Sequence, residues 1–217
     1  MVHFTVHRRH AGGGSTNSGS DWSVSAFQGL DLATRARHEV QFAIARNAGR
    51  LDCDGYLAGG EGAGTFRFTP DATFVRAMSD LGFGGIDDDE QFGMAIHDVS
   101  LEFARQMKSE NLTGMDSDKL IAFRIFDVSP QFIRDLRQEG LPAKDADSLV
   151  AFRIHGVSPA LVREVRRAGI DADEDELVAF QIHGVSPEFI AEIERRGYAN
   201  VDGEDLVAMR IHGVTPE

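Results

Sequence analysis

The chain has 217 residues, 42% hydrophobic and 26% charged, with 35 acidic against 22 basic side chains and a formal net charge of −13. That composition is ordinary for a soluble globular protein, and its charge argues against nucleic-acid partners and anionic membranes, both of which need a positive surface. A single cysteine, Cys53, excludes an intramolecular disulfide framework and a cysteine-rich zinc site.

From the N-terminus, "HFTVH" (3–7), "VQFAIAR" (40–46), "RLDCDGYL" (50–57) and "AGTFRF" (63–68) alternate in polarity, with glycines where turns belong. They predict a small antiparallel β domain over residues 1–68. "AGGGSTNSGSD" (11–21) reads as a flexible loop, and "SVSAFQGL" (23–30) as a short helix or turn anchored by Trp22. Four short strands bury little alone. The sheet is therefore expected to pack on Phe74 and Met78 of the first helix and to cap the helices beyond it. No run of about 18 apolar residues and no signal-peptide pattern occurs, so no direct membrane contact is expected within this sequence. A leader or anchor removed ahead of Met1 is left open.

From residue 69 the chain repeats. The phrases "AIHDV" (95–99), "RIFDV" (124–128), "RIHGV" (153–157), "QIHGV" (181–185) and "RIHGV" (210–214) each precede a hydroxyl residue: Ser100, Ser129, Ser158, Ser186 and Thr215, at intervals of 29, 29, 28 and 29. Asp87, Asp116, Asp145, Asp173 and Asp202 recur at the same four intervals. Two rulers that share one deletion identify a repeat. Each unit predicts two short helices. Ser129-Pro130 is a capped start, Phe132, Ile133 and Leu136 share one face, and Gly140 is suited to the left-handed residue past the end. The second helix opens at Asp145 and closes at Gly156; its residues Leu149, Val150, Phe152 and Ile154 are apolar nearly all round, which predicts burial. Asp173 and Glu176 have capping-box spacing. Thr69-Pro70 opens the first unit, giving five helix pairs over residues 69–217. The fold class is α+β, mainly α: a β cap followed by an α-solenoid of five units. "VTPE" (214–217) reads as the first turn of a sixth, and further repeats are expected beyond an apolar end face.

Candidate chemistry is sparse. His97, His155, His183 and His212 form a column broken by Phe126, and units a helix width apart cannot converge on one ion. The histidines instead suit helix C-termini, favoured by the dipole and able to bond a free carbonyl. "IDDDE" (86–90) reads as helix capping and "DCDG" (52–55) as a turn, since neither completes a calcium loop. "GGEGAG" (59–64) leads to a strand and reads as a hairpin turn, and "HEVQF" (38–42) puts Phe42 where a zincin needs histidine. No catalytic set, metal site or cofactor site emerges.

The repeated "LVAFRIHGVSPEF" wording resembles a bacterial helical-repeat family of about 29 residues, found in proteins associated with BlaR/MecR-like antirepressor metallopeptidases. "NAGRLDCDGYLAGGEGAGTFRFTP" is similar to the glycine-rich segment that precedes those repeats. The likeness covers nearly the whole chain and carries over no catalytic residue. "His97-Asp98" and "Phe126-Asp127" depart from its "HG" form, which puts the glycine cap there in question. The resemblance implies an accessory region of a bacterial signalling or regulatory protein, and admits a periplasmic or extracytoplasmic location as well as a cytoplasmic one.

The expected function is therefore a non-catalytic protein–protein interaction module. The candidate surface is the outward strip of the first helices, at Arg134, Arg163, Glu164, Arg167, Glu192 and Arg195. A second column, Arg124, Arg153, Gln181 and Arg210, either pairs internally with Asp147, Asp175 or Glu176 or lines a groove for an acidic partner. The alternative is a ligand-sensing regulatory domain with a pocket where sheet meets solenoid.

Overall fold

A computed structural model describes residues 1–9, 15–198 and 201–215. The chain divides into two compact units, Met1–Arg105 and Gln106–Glu217. The change from strands to helices expected at 68/69 thus falls inside the first unit.

The fold is α+β. In the first unit β1 (Val2–Arg9) and β2 (Ser15–Trp22) form an antiparallel pair, and β3 (His38–Arg46), β4 (Gly49–Ala58) and β5 (Glu61–Pro70) form a three-stranded antiparallel sheet. The polar stretch expected to be a loop is therefore partly a strand. Ser15–Trp22 pairs residue for residue with Val2–Arg9, from Val2 opposite Trp22 to Arg9 opposite Ser15. Trp22 is buried against Phe4 and Phe27, and both phenylalanines contact Phe42 of β3. "DCDG" lies within β4 rather than in a turn, and the hairpin turn stands at Gly59 and Gly60, both with positive φ.

Ten α-helices of nine or ten residues follow among the described residues: α1 (Ala72–Asp80), α2 (Asp88–Ile96), α3 (Leu101–Ser109), α4 (Ser117–Ile125), α5 (Pro130–Gln138), α6 (Ala146–His155), α7 (Pro159–Arg167), α8 (Glu174–His183), α9 (Pro187–Arg195) and α10 (Gly203–Ile211). None is long and apolar enough to cross a membrane. The first does not open at Thr69-Pro70: Pro70 ends β5, and Asp71 caps α1 by accepting from the Thr73 N–H at 2.7 Å. Asp71 stands 29 residues before Ser100 and takes the place that serine holds in later units. Helix α2 packs on β4 and β5, and Phe74 and Met78 of α1 are buried. Gln91 of α2 ties the layers together by donating to the Ala48 and Asp71 carbonyls at 2.7 and 2.9 Å.

In the second unit α4 packs on α6, α6 on α8 and α8 on α10, while α5 packs on α7 and α7 on α9. Phe123, Phe152 and Phe180, six places before their unit's serine, are fully buried along the first row. Ile133, Val162 and Ile190 do the same along the second. The "VTPE" segment is described only through Thr215; Pro216 and Glu217 lie outside the described residues.

Local chemistry explains why each helix stops where it does. Gly156 and Gly184 close α6 and α8 in the left-handed region, at φ 78° and 72°. At the same register Asp98 and Asp127 adopt φ 55° and 56°, so the turn survives without glycine. Aspartate tolerates that region better than most residues. Each also meets an arginine: Arg46 lies 3.3 Å from Asp98, and Arg153 pairs with Asp127. Gly156→Ala and Gly184→Ala are each expected to cost about 1 kcal/mol or more, because alanine resists positive φ. At Gly184 a Cβ would also press on Arg210 Nη2 at 3.1 Å. Urea midpoints read the loss, and unchanged midpoints in both variants would remove the cap assignment.

Candidate interaction surface

The outward residues of α5, α7 and α9 divide into those already paired within the chain and those left to solvent. Arg134 donates to Glu110 at 2.9 Å and to Gln131 at 3.2 Å. Glu110 is buried, and its second oxygen accepts from Arg137 at 2.7 Å. One unit later Arg163 donates through Nε and Nη2 to Glu139, at 3.0 and 2.6 Å. The register is the same: an acid ten places after one unit's serine meets an arginine five places after the next. At the following step these positions hold Ala168 and Ala191, so acid and arginine disappear together. Arg134 and Arg163 therefore join neighbouring units.

Arg195 pairs with Glu192 on its own helix, and Glu192 also accepts from Arg196 at 2.8 Å. Glu164 and Arg167 differ. Both are exposed, and neither makes a side-chain hydrogen bond or ion pair among the described residues.

Two members of the second column, Arg153 and Arg210, bond within the chain, and to groups other than Asp147, Asp175 or Glu176. Arg153 donates to the Phe126 carbonyl at 3.0 Å, pairs with Asp127, and lies 4.9 Å from the centre of the Phe132 ring. Arg210 reaches the His183 carbonyl at 3.4 Å and lies 5.0 Å from the Phe189 ring centre. Each arginine thus closes the preceding helix of its row by taking up an end carbonyl, a role expected of the histidines. Gln181 stands in the same column where the corresponding ring position is Leu161, so guanidinium and phenyl ring change together. Its Oε1 lies beside Gly156. Arg124 occupies the place on α4 and is exposed. Asp147, one of the acids expected to receive this column, pairs instead with Lys119.

His155, His183 and His212 are exposed at their helix ends, while His97 lies 3.4 Å from the Ser18 hydroxyl. Among the described residues no three His, Cys, Asp or Glu side chains are placed to hold a metal ion. Cys53 is buried on β4, and burial pushes its thiol up to about 11, which leaves it a poor nucleophile at neutral pH.

One surface feature runs against the expectation from polarity. Ile154, expected in the core, is 54% exposed, as are Ile125 (50%), Ile182 (55%) and Ile211 (58%) at the same place on α4, α8 and α10. A helix apolar on two sides reads as buried, but packing covers only the side of Leu149 and Phe152. The usable signal was the period: these residues stand four places before each unit's serine or threonine.

The Arg163 guanidinium, hydrogen-bonded to Glu139, holds that carboxyl below its ordinary range. A depressed folded-state value adds stability above the unfolded value that is lost as pH falls through the folded one. The difference in urea midpoint between the wild type and Glu139→Gln should therefore be constant above about pH 6 and shrink towards about pH 3; a gap independent of pH would remove the pair. Zinc, nickel or calcium added to chelator-treated protein should leave the melting temperature unmoved. A stoichiometric rise lost in His155→Ala or His183→Ala would reverse that assignment, since a bound ion stabilises the folded state. Comparison with known proteins leaves the chain to its own geometry: no family model, curated protein or solved structure matches it.

Proposed function

We propose that this chain is a non-catalytic protein–protein interaction module, an α-solenoid of five helix pairs behind a small β cap, serving as an accessory region of a bacterial signalling or regulatory protein. The bacterial and regulatory part rests on the likeness of its repeated wording to the helical-repeat family. The binding part rests on one contrast within the second row of helices. Buried places keep their type, as in Phe132, Leu161 and Phe189 or Leu136, Val165 and Ile193. Outward places do not: Gln138 gives way to Arg167 and Arg195, and Gln131 to Ala160 and Glu188. A stack that holds its core constant and varies its surface has the means to encode a partner.

Because Arg134 and Arg163 join units, the informative variant is at the two exposed charges that make no side-chain hydrogen bond or ion pair among the described residues. Glu164→Lys combined with Arg167→Glu should leave the helical circular-dichroism signal intact, since surface changes seldom cost more than about 0.5 kcal/mol each. It should abolish capture of the protein that the wild-type chain cross-links in lysate of its source cell. A chain that cross-links no protein, or whose capture survives this variant, would defeat the reading at this surface.

A second reading, ligand sensing, draws on an open groove of about 370 Å³ in the first unit, where His7, Arg8 and Arg9 of β1 meet Phe66 and Phe68 of β5 and Asp88 of α2. Cations beside aromatic rings suit an anionic ligand with an apolar body.

A further inference from the structure

The exposed isoleucines belong to a larger pattern. One turn before them stand Ile121, Val150, Val178 and Val207, all half-buried. Since α4, α6, α8 and α10 pack in succession, the eight β-branched side chains form a continuous apolar band on the second unit. Three places further towards each N-terminus is an acid: Asp118, Asp147, Asp175 and Glu204. Every unit of this row therefore places acid, apolar residue and isoleucine at the same spacing along one helix, with Asp147 already paired to Lys119.

The first unit contains that same face covered. On α2 the corresponding residues are Asp89, Phe92 and Ile96, and Ile96 is only 5% exposed. Strands β4 and β5 lie on this helix. Phe66 of β5 stacks on Phe92, with ring centres 5.7 Å apart, and Phe68, two residues on, meets it edge-on at 5.3 Å. Arg8 of the neighbouring pair of strands lies 4.7 Å from the centre of the Phe92 ring and 3.3 Å from the Asp89 carboxylate. Alternate aromatic residues cover Phe92, and an arginine reaches the acid.

We infer that the band on α4, α6, α8 and α10 is a docking site for an antiparallel β segment of another protein, one that presents aromatic side chains at alternate positions and an arginine beside them. The cover already present on α2, where Phe66 and Phe68 lie on Phe92 and Arg8 reaches Asp89, selects this occupant over a second copy of the chain.

The inference rests on the interaction-module reading, and its test uses the whole chain. The probe is a backbone-cyclised hairpin with Phe-Arg-Phe on one strand and an arginine on the other; a Ser-Arg-Ser hairpin is the control. Titration is followed by methyl NMR. The aromatic hairpin should shift the methyl signals of Ile125, Ile154, Ile182 and Ile211, and the control should not. I154T combined with I182T should weaken binding at least about tenfold while the melting temperature stays unchanged. Absence of isoleucine shifts, or equal binding of the two hairpins, would overturn the assignment. So would concentration-dependent self-association abolished by I154T/I182T, which would make a second copy the occupant. If the hairpin fails while cross-linked capture remains sensitive to E164K/R167E, the module reading stands and only this inference falls.

Discussion

Helix length is the constraint on which the rest of this structure depends. A helix of nine or ten residues does not hold itself together in water, because too few hydrogen bonds offset the cost of nucleation. Each one here borrows stability from both ends and from its neighbours. Aspartate or serine supplies an acceptor for a free N–H at the start, as at Asp71, Asp116 and Ser158. A left-handed residue turns the chain away at the end, and a stacked phenylalanine or branched aliphatic residue fills the space against the next unit. No single helix pair has a core of its own.

The same constraint explains the use of charge. Joining short elements side by side leaves end carbonyls and half-covered rings at each junction, and arginine can satisfy both at once. Arg153 does so at one junction and Arg210 at another; Arg137 spreads its guanidinium over the Glu110 carboxylate and the Glu110 and Ala143 carbonyls. Most of the arginines that stand out in the sequence thus belong to the architecture. Glu164 and Arg167, exposed and without a side-chain hydrogen bond or ion pair among the described residues, are the better candidates for recognition.

The two units treat one helix face differently. On α2 the face is covered by strands of the same chain, with Phe66, Phe68 and Arg8 against Phe92. On α4, α6, α8 and α10 it meets solvent. Leaving four isoleucines exposed in register is costly in water, and soluble proteins rarely retain contiguous apolar surface without a use for it.

The sequence by itself determined the period, the ten helices, most of their starting caps and most of the buried columns, because those depend on contacts within a few residues. Serine-proline starts, capping-box acids and glycine ends act locally and can be read from neighbours alone. It also located the hairpin at Gly59-Gly60 and the three strands around it. Tertiary structure decided what local chemistry leaves undetermined. Ser15–Trp22 has little strand propensity and becomes a strand because Val2–Arg9 offers it a ladder. Asp98 and Asp127 hold a turn that glycine would hold unaided, each with an arginine from elsewhere in its unit of the fold. Arg134 and Arg163 looked free until Glu110 and Glu139 were placed beside them. Ile154 looked buried until packing showed that α6 has neighbours on one side only of its apolar circumference. Polarity and spacing specify which faces a helix has; only the packed chain specifies which of them is covered.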